Sequence, residues 1–539
     1  MAERQFDHPA PLTRAIERLQ SAAVEVTDKR EELRLAELVA ALSLAVDLGL
    51  GQPMEHLLRS CLIALRLADQ IGLDEQERAV VYYVALLGWV GCHADAHEQA
   101  IWFGDDIVLK ADRFPVDMIG AARTSFLLRH VGNKGSLANR ARLLGSLVAS
   151  NRELASAFET THCTIAGEVA VGLGLGSPVA DALQQVFERW DGKGAPCGLR
   201  GERIAIASRL VQLALIVEYY RRLEGPQAAV EAVTLRRGTQ FDPELVDRLC
   251  AGAPKLLGGL EETGGWDEVI AAEPALRPTL SGLELDEAVE GVSDLADLKS
   301  PFMTGHSRRV AELVCAAARR SGFSEHQVRE LRRAALLHDL GRLGVSNAIW
   351  EKPGPLSAAE LERVRMHPYY TLRMFSRVPA LAGVAELASK HSERLDGSGY
   401  PRGLTAATLS PSAGLLAAAD VYAALIEPRA HRRAHESGEA ARVLQAEVRA
   451  GRLDGEAVQA VLGATGQPVA RRRDWAAGLT AREVEVLSLL ARGSSNKQIA
   501  ARLCISAKTA GNHVEHIYMK IGASSRAQAS LFAMQHGLV

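Results

Sequence analysis

The chain has 539 residues, too many for one hydrophobic core and enough for about three domains. Apolar residues make up 47% and charged residues 24%, the balance of a folded globular protein. A net charge of −3 excludes a molecule-wide polyanion binder, so any basic surface must be local.

Abundant Ala and Leu, sparse aromatics and few β-branched runs predict an all-α fold. Residues 1–30 open with Met-Ala-Glu-Arg-Gln-Phe-Asp-His, which lacks the apolar core of a signal sequence, and form an N-terminal segment. A first domain is expected over 31–263. Its longest uncharged stretch, Ala79 to Cys92, is shorter than the ~20 residues that span a bilayer and reads as a buried helix, so no membrane partner is expected. Seven scattered cysteines (Cys61, Cys92, Cys163, Cys197, Cys250, Cys315 and Cys504), with no C-x-x-C, predict reduced thiols in the cytoplasm and neither a disulfide frame nor a zinc knuckle. After Gly88-Trp89 comes His93-Ala-Asp95-Ala-His97-Glu98. Histidines four apart can share a helix face and hold a metal, although such clusters more often cap a helix or face solvent.

One pattern occurs twice. With Gly72-Leu-Asp-Glu and Gly322-Phe-Ser-Glu as anchors, His56 matches His306, and Leu86-Leu87-Gly88-Trp89 matches Leu336-Leu337-His338-Asp339. Further on, Glu188-Arg-Trp-Asp191-Gly-Lys-Gly matches Glu393-Arg-Leu-Asp396-Gly-Ser-Gly, and His162 and His367 stand at the same distance before each Asp. The offset is 250 residues in the early matches and 205 in the late ones. The first copy therefore carries 45 additional residues, roughly Asp105 to Leu154, expected as extra helices. Val186 stands for His391 and Leu215 for Asp420, so the first copy has lost four candidate ligands while keeping the Glu-Arg-x-Asp-Gly turn. It reads as a catalytically dead fold kept for sensing, packing or dimerisation.

Gly264-Gly265 through Glu290, with Pro274 and Pro278, reads as an acidic connector, and 291–466 as the second copy. There the candidates are His306, His338, Asp339, His367, His391 and Asp420. Imidazoles and carboxylates without cysteine suit Fe, Mn, Zn or Ni. In the adjacent His338-Asp339 pair, near a helix end with Gly341 as the expected stop, the carboxylate can bridge two ions while the His binds one. One or two divalent ions in such a site can hold a phosphoester and generate hydroxide near neutral pH. Arg342 is placed to clamp a phosphate oxygen. The Gly397/Gly399/Pro401 turn can present Tyr400 for base stacking or a phosphate hydrogen bond.

The residues Gly305-His306-Ser307, His338-Asp339-x-Gly341, Lys352-Pro353-Gly354, His367-Pro368, Asp396-Gly-x-Gly399-Tyr400-Pro401 and Ala419-Asp420-Val421 resemble the HD-GYP family of metal-dependent phosphodiesterases over about Asp294 to Gly466. The first copy resembles it more faintly. The resemblance implies an all-helical bundle and hydrolysis of cyclic di-GMP by a metal-activated hydroxide. Two departures stand out: Ser392 replaces a usual second histidine, and Arg342 replaces a usual lysine, which is not a conservative exchange at a phosphate. Phe302 stands where some members carry a further carboxylate.

The end of the chain changes texture. Gly463-Ala-Thr-Gly-Gln-Pro468 and Arg471-Arg-Arg473 lead through a linker at 467–478 into a module at 479–539. Thr480-Ala-Arg-Glu483 and Ser495-Asn-Lys-Gln498 have capping-box spacing. Ser506 caps a third helix closed by Gly522, and a fourth runs from Ser525 to before Gly537. Ala510, Val514, Ile517 and Ile521 keep 3.6-residue spacing and predict a core face. Lys497, Lys508, Thr509, Asn512, His513 and Lys520 are left to face DNA. From Arg471 to Val539 ten Lys/Arg oppose four Asp/Glu, a local footprint for phosphates. Leu479-Thr-x-Arg-Glu483, Gly493, Ser495-Asn-Lys-x-Ile499-Ala500, Ile505-Ser506-x-Lys508-Thr509, His513, Lys520-x-Gly522 and Arg526 resemble a LuxR-type helix-turn-helix. That resemblance implies promoter binding as a homodimer, with the third helix in the major groove. Ala510-Gly511 departs from it where larger residues are usual.

The chain thus reads as a transcription regulator with two HD-type helical bundles and a four-helix DNA-binding end. Three readings of the second copy stay open: a cyclic-dinucleotide phosphodiesterase, a hydrolase of another phosphoester, and a non-catalytic nucleotide or metal receptor that gates DNA binding.

Overall fold

The computed structural model describes residues 32–132, 137–260, 265–274, 278–465, 475–503 and 505–539. The N-terminal segment, the Arg471-Arg-Arg473 tether and Cys504 fall outside them; the other six cysteines are free thiols. The fold is almost entirely helical, as predicted.

In the first half the helices that carry the argument are α1 (Leu35–Gly49), α2 (His56–Gln70) and α3 (Glu75–Leu87). They are followed by α4 (Asp106–Arg113), α5 (Gly120–His130), α6 (Leu137–Gly172), α7 (Gly176–Leu183) and α8 (Ile206–Glu224). The second half contains α9 (Gly282–Leu298), α10 (His306–Arg320), α11 (Glu325–Leu337), α12 (His367–Phe375), α13 (Ala382–Ala388) and α14 (Pro411–Ile426). The C-terminal module contains α15 (Ala481–Ala491), α16 (Asn496–Leu503), α17 (Ala507–Ile521) and α18 (Arg526–Gln535). The expected insertion is helical: α4, α5 and the start of α6 fill it.

Local chemistry sets several of these boundaries. Asp74 opens α3 through a capping box with Glu77, and Ser324 opens α11 through one with Gln327, so orphan amides at both helix starts are satisfied. Before α10 the chain turns through a left-handed Gly305 (φ 72°), and before α2 through Glu55 in the same conformation (φ 76°). A side chain at such a φ costs about 1–2 kcal/mol.

The two halves share further details at the spacings read from the sequence. Asp47 accepts the Leu57 amide (3.0 Å) and Asp297 accepts the Ser307 amide (2.9 Å). Glu188 accepts the amides of Cys197 and Leu199 (2.7 and 2.9 Å), and Glu393 those of Arg402 and Leu404 (2.9 and 2.8 Å). A Cβ on Gly91 would overlap the His162 carbonyl, and one on Gly341 the His367 carbonyl.

One apolar core runs through both halves and takes in Leu531 and Met534 of α18. The halves are also joined by buried polar groups. Asp106 accepts from the Ser346 hydroxyl and the Asn347 amide, both at 2.8 Å, and lies between Lys110 (3.4 Å) and Lys299 (3.7 Å). His97 meets Glu351 at 2.6 Å.

The residues read as a connector are structured. Residues 265–290 carry a helix (Gly265–Ala271), strand β2 (Thr279–Leu280) paired antiparallel with β1 (Leu33–Arg34), and the first half of α9. Asp267, Glu284 and Glu287 are exposed, while Trp266, Val269, Glu273, Leu285 and Val289 are buried. A charge count does not see that face. Among the described residues no single helix is long and apolar enough to cross a membrane. The pair Glu75–His93 and Ala96–Phe103 passes on length and composition, but is bent by 57°. Val81 to Leu87 lies in the core.

Candidate metal centre and DNA-reading helix

The centre is assembled from five places in the second half. α10 starts at His306, and its first turn is held by Asp297, which takes both the amide and the hydroxyl of Ser307. α11 ends at Leu337 with His338 as its C-cap, and Asp339 leaves helical geometry. Gly341 was expected to stop the helix, but its position serves close approach: α12 begins with the His367 carbonyl pressed against it. Thr371 locks that contact, accepting from the Gly341 amide (3.0 Å) and donating to the His338 carbonyl (3.1 Å). His391 lies just past α13, and Asp420 projects from the middle of α14.

All six predicted residues converge. His306 Nε2 is 3.2 Å from Asp420 and 3.8 Å from Asp339; His338 Nε2 is 3.6 Å from each carboxylate. On the other side His367 and His391 lie 3.4 and 3.9 Å from the second Asp339 oxygen. Two groups of potential ligands result, His306/His338/Asp339 and Asp339/His367/His391, sharing one aspartate, and every member is buried.

The tautomers are set from behind. Nδ1 of His338, His367 and His391 each donates to a carbonyl three residues earlier: Ala335 (2.7 Å), Val364 (2.6 Å) and Ala388 (2.8 Å). Each Nε2 therefore points inward, which is the arrangement a metal-binding imidazole requires. His306 Nδ1 is held by Glu427 (2.8 Å), a carboxylate–histidine pairing of the kind that backs metal ligands.

Burial, against the pull of Asp339, drives His367 down to about 3 and His391 to about 4, so both are neutral donors at pH 7. His306 suffers the same burial, but Glu427 and Asp420 outweigh it and raise it to about 10. Asp339 and Asp420 are held well below the usual carboxylate range, burial being overcome by the surrounding imidazoles and, for Asp339, by Arg342. The residues fit a cation. His338 Nε2 is buried without a hydrogen-bond partner, and the Nε2 atoms of His367 and His391 face each other at 3.0 Å with both Nδ1 protons already committed. These His/Asp clusters are positioned to chelate a divalent metal ion.

Around the centre, Arg342 lies 3.2 Å from Asp339 with its guanidinium 3.6 Å above the Trp350 ring. Tyr400 is edge-on to His367, and the Ser392 side chain lies beside its phenol. Phe302 packs on His97. Sequence reasoning missed Glu427, Trp350 and Arg429, which bridges Glu427 and the Phe302 carbonyl. A carboxylate seven residues after Asp420 was the available signal for Glu427. The His93–Glu98 cluster does not gather: His93 bonds the Val90 carbonyl and packs on Gly49, while His97 turns to Glu351. Those residues form no metal-binding group among the described residues.

In the C-terminal module the capping pattern holds. Thr480, Ser506 and Ser525 cap their helices, Ser495 accepts the Gln498 amide, and Gly522 closes α17 with φ 68°. Ala510, Val514 and Ile517 are buried; Lys497, Lys508, Thr509 and Asn512 are exposed, and His513 is half-buried. Lys520 differs from expectation. Its ammonium is bound to Glu483 (2.7 Å) and the Gly478 carbonyl (3.2 Å), which ties α17 to α15.

The module rests on the second half beside the metal centre. Thr304 donates to the Ala491 carbonyl (2.9 Å), Gly493 abuts Pro301, and Val539 closes over Gly305.

Residues 290–457 match the family described as HD domain, and 477–533 that described as bacterial regulatory proteins, luxR family. The chain is 33% identical over 408 residues to the 3'3'-cGAMP-specific phosphodiesterase 3 of Vibrio cholerae, an alignment covering 74% of this chain and 88% of that one. It is 36% identical over 163 residues to a cyclic di-GMP phosphodiesterase of Thermotoga maritima, across 30% of this chain and 44% of the relative. The crystal structure of the Vibrio cyclic GMP-AMP phosphodiesterase superposes with a TM-score of 0.57 at 28% identity, covering 81% of this chain and 99% of that one.

Proposed function

Because the chain belongs to the HD-domain phosphodiesterase family, with a LuxR-type DNA-binding module added at its end, we propose that its second half hydrolyses a cyclic dinucleotide such as cyclic di-GMP or 3'3'-cGAMP. The observation that carries this reading is the pair of buried ligand groups sharing Asp339. In it His306, His338, His367, His391 and Asp420 hold the ions together with Asp339. Divalent ions, when bound, supply Lewis acidity and lower the pKa of water. Arg342, pre-oriented by Asp339 and Trp350, offers guanidinium hydrogens to a phosphate oxygen, and Tyr400 stacks on a base or donates its phenol proton. The buried walls keep bulk water from the charges, which strengthens each of these contacts.

We read 31–263 as a degenerate second copy of the same bundle. The support is the repeated spacing, the paired Asp47/Asp297 and Glu188/Glu393 anchors, and the paired close approaches at Gly91 and Gly341. In the DNA-binding module we assign Lys497, Lys508, Thr509, Asn512 and His513 to DNA, and dimeric binding at a twofold-related site. Lys520 belongs instead to the helix packing.

A second reading, occupancy of the centre gating DNA binding with little turnover, is favoured by one contact. The module seats Val539 and Gly493 on Pro301–Gly305, the turn directly before the ligand His306. Single-turnover hydrolysis of cyclic di-GMP and 3'3'-cGAMP by the metal-loaded chain, beside Asp339→Ala, separates the two. Cleavage lost in the variant supports the phosphodiesterase. Nucleotide binding without cleavage in the unaltered chain, with operator affinity shifting on binding, supports the receptor.

A further inference from the structure

The first half contains a cavity of about 190 Å³ at the positions that, by register, correspond to the metal centre. Trp89, Val186 and Leu215 line it where the second half has Asp339, His391 and Asp420. Phe114 and Phe187 extend the apolar wall, and the Arg113 guanidinium lies 5.3 Å from the Phe187 ring centre.

The remaining wall carries Lys110, Arg113, Arg123, Arg189, Lys193 and Arg236 with one lining acid, Glu159; behind it Arg189 pairs with Asp117 (2.6 Å) and Asp191 (3.2 Å), and Lys193 lies 3.9 Å from Asp191. Glu159 is itself taken by Arg113 at 3.0 Å. Arg236 is only 8% exposed, and its guanidinium reaches a carbonyl (Pro115, 2.8 Å), Gln240 and the Tyr220 phenol, but no carboxylate among the described residues. Lys110 shares the one carboxylate of Asp106 with Lys299. A nine-tenths-buried guanidinium with no counter-charge among the described residues, lining the same cavity as a lysine that shares its carboxylate, is costly unless an anion arrives. The neighbours register the field: burial first, opposed by the Gly88 carbonyl and reinforced by Arg113 and Lys110, pulls His162 down to about 4.

We propose that this cavity binds a nucleoside monophosphate, its terminal phosphate among the cations and its base against the aromatic wall. The volume lies below the ~300 Å³ usual for drug-sized ligands, which favours a mononucleotide over an intact cyclic dinucleotide. With apolar side chains at three ligand positions, the site binds without cleaving. Side-chain cations supply the positive charge that metal ions supply in the other half. The inference goes beyond the phosphodiesterase reading and uses first-half residues alone, so the two fail independently.

The test is calorimetric titration of GMP and AMP into the full chain carrying Asp339→Ala, with guanosine, inorganic phosphate and cyclic di-GMP as further arms. A mononucleotide should bind, and Arg123→Glu with Lys193→Glu, both at partly exposed positions, should weaken it at least tenfold with unchanged melting. Binding should also quench Trp89, an effect lost in Trp89→Phe. No mononucleotide binding, binding indifferent to the double charge reversal, equal affinity for phosphate or guanosine alone, or tighter binding of cyclic di-GMP would each overturn the assignment.

Discussion

In the second half Asp339 and Asp420 sit among His338, His367 and His391, whose Nδ1 protons are held outward, and His306, backed by Glu427. At the corresponding places of the first half Trp89, Val186 and Leu215 line an apolar cavity edged with guanidinium and ammonium groups. The backbone devices that bring the elements together, close approach at Gly91 and Gly341 and a carboxylate capturing a loop, are present in both. A bundle of this kind is thus held by its buried backbone contacts and apolar core. Its chemistry rests on a few side chains that can be exchanged without dismantling it.

The sharpest break in the comparison is Asp339→Ala. The shared carboxylate belongs to both ligand groups, so its loss removes several kcal/mol of transition-state stabilisation, and single-turnover cleavage should fall roughly 10³-fold or more.

Next comes the junction between the halves. Asp106→Ala leaves Lys110 and Lys299 buried together and should cost about 3–5 kcal/mol, read by denaturant unfolding. Burial raises this carboxyl, but the two lysines, with Ser346 and Asn347, overcome it and hold it at about 2, below its ordinary 3.8. Its contribution is therefore complete above about pH 4 and lost as the pH falls towards 2. An acid-stability curve of Asp106→Asn should lack that component.

Glu427→Gln tests the support behind His306. Metal affinity should drop about 10- to 100-fold while the fold is kept, measured by metal titration followed by elemental analysis. The smallest effects belong to the DNA module. Ser506→Ala should cost about 1 kcal/mol through loss of the cap on α17. Gly511→Ala, whose added methyl would meet nothing nearer than Asn496 at 3.7 Å, should stabilise the same helix by up to about 1 kcal/mol. Thermal melting checks both, and operator affinity should follow the same order.

Much of the centre was legible because its ligands are polar residues at positions where a helical bundle wants apolar ones, and because a second copy of the spacing shows what the bundle needs without them. The capped helices of the C-terminal module were legible for a local reason: a capping box spans four residues. Glu427 and Trp350 were not legible, since each acts on a neighbour set by the fold, His306 from 121 residues away and Arg342 across a turn. The packing of the connector was not legible, since burial of Trp266 and Leu285 depends on a partner surface elsewhere in the chain. Lys520 was assigned to DNA from helical spacing and the family resemblance; its ion pair with Glu483 on α15 depends on the fold and could not be read from either.

The amino-acid order alone therefore pointed to the helical class, the donor set of the centre and the helix starts of the DNA module. All are written in residue type and short spacing. Tertiary structure alone decided that Glu427 backs His306, that Asp106 welds the halves, that cations ring the first-half cavity and that the DNA module sits beside His306. Those facts depend on which distant side chains share a small desolvated volume, where charge and packing act over a few ångströms regardless of how far apart they lie along the chain.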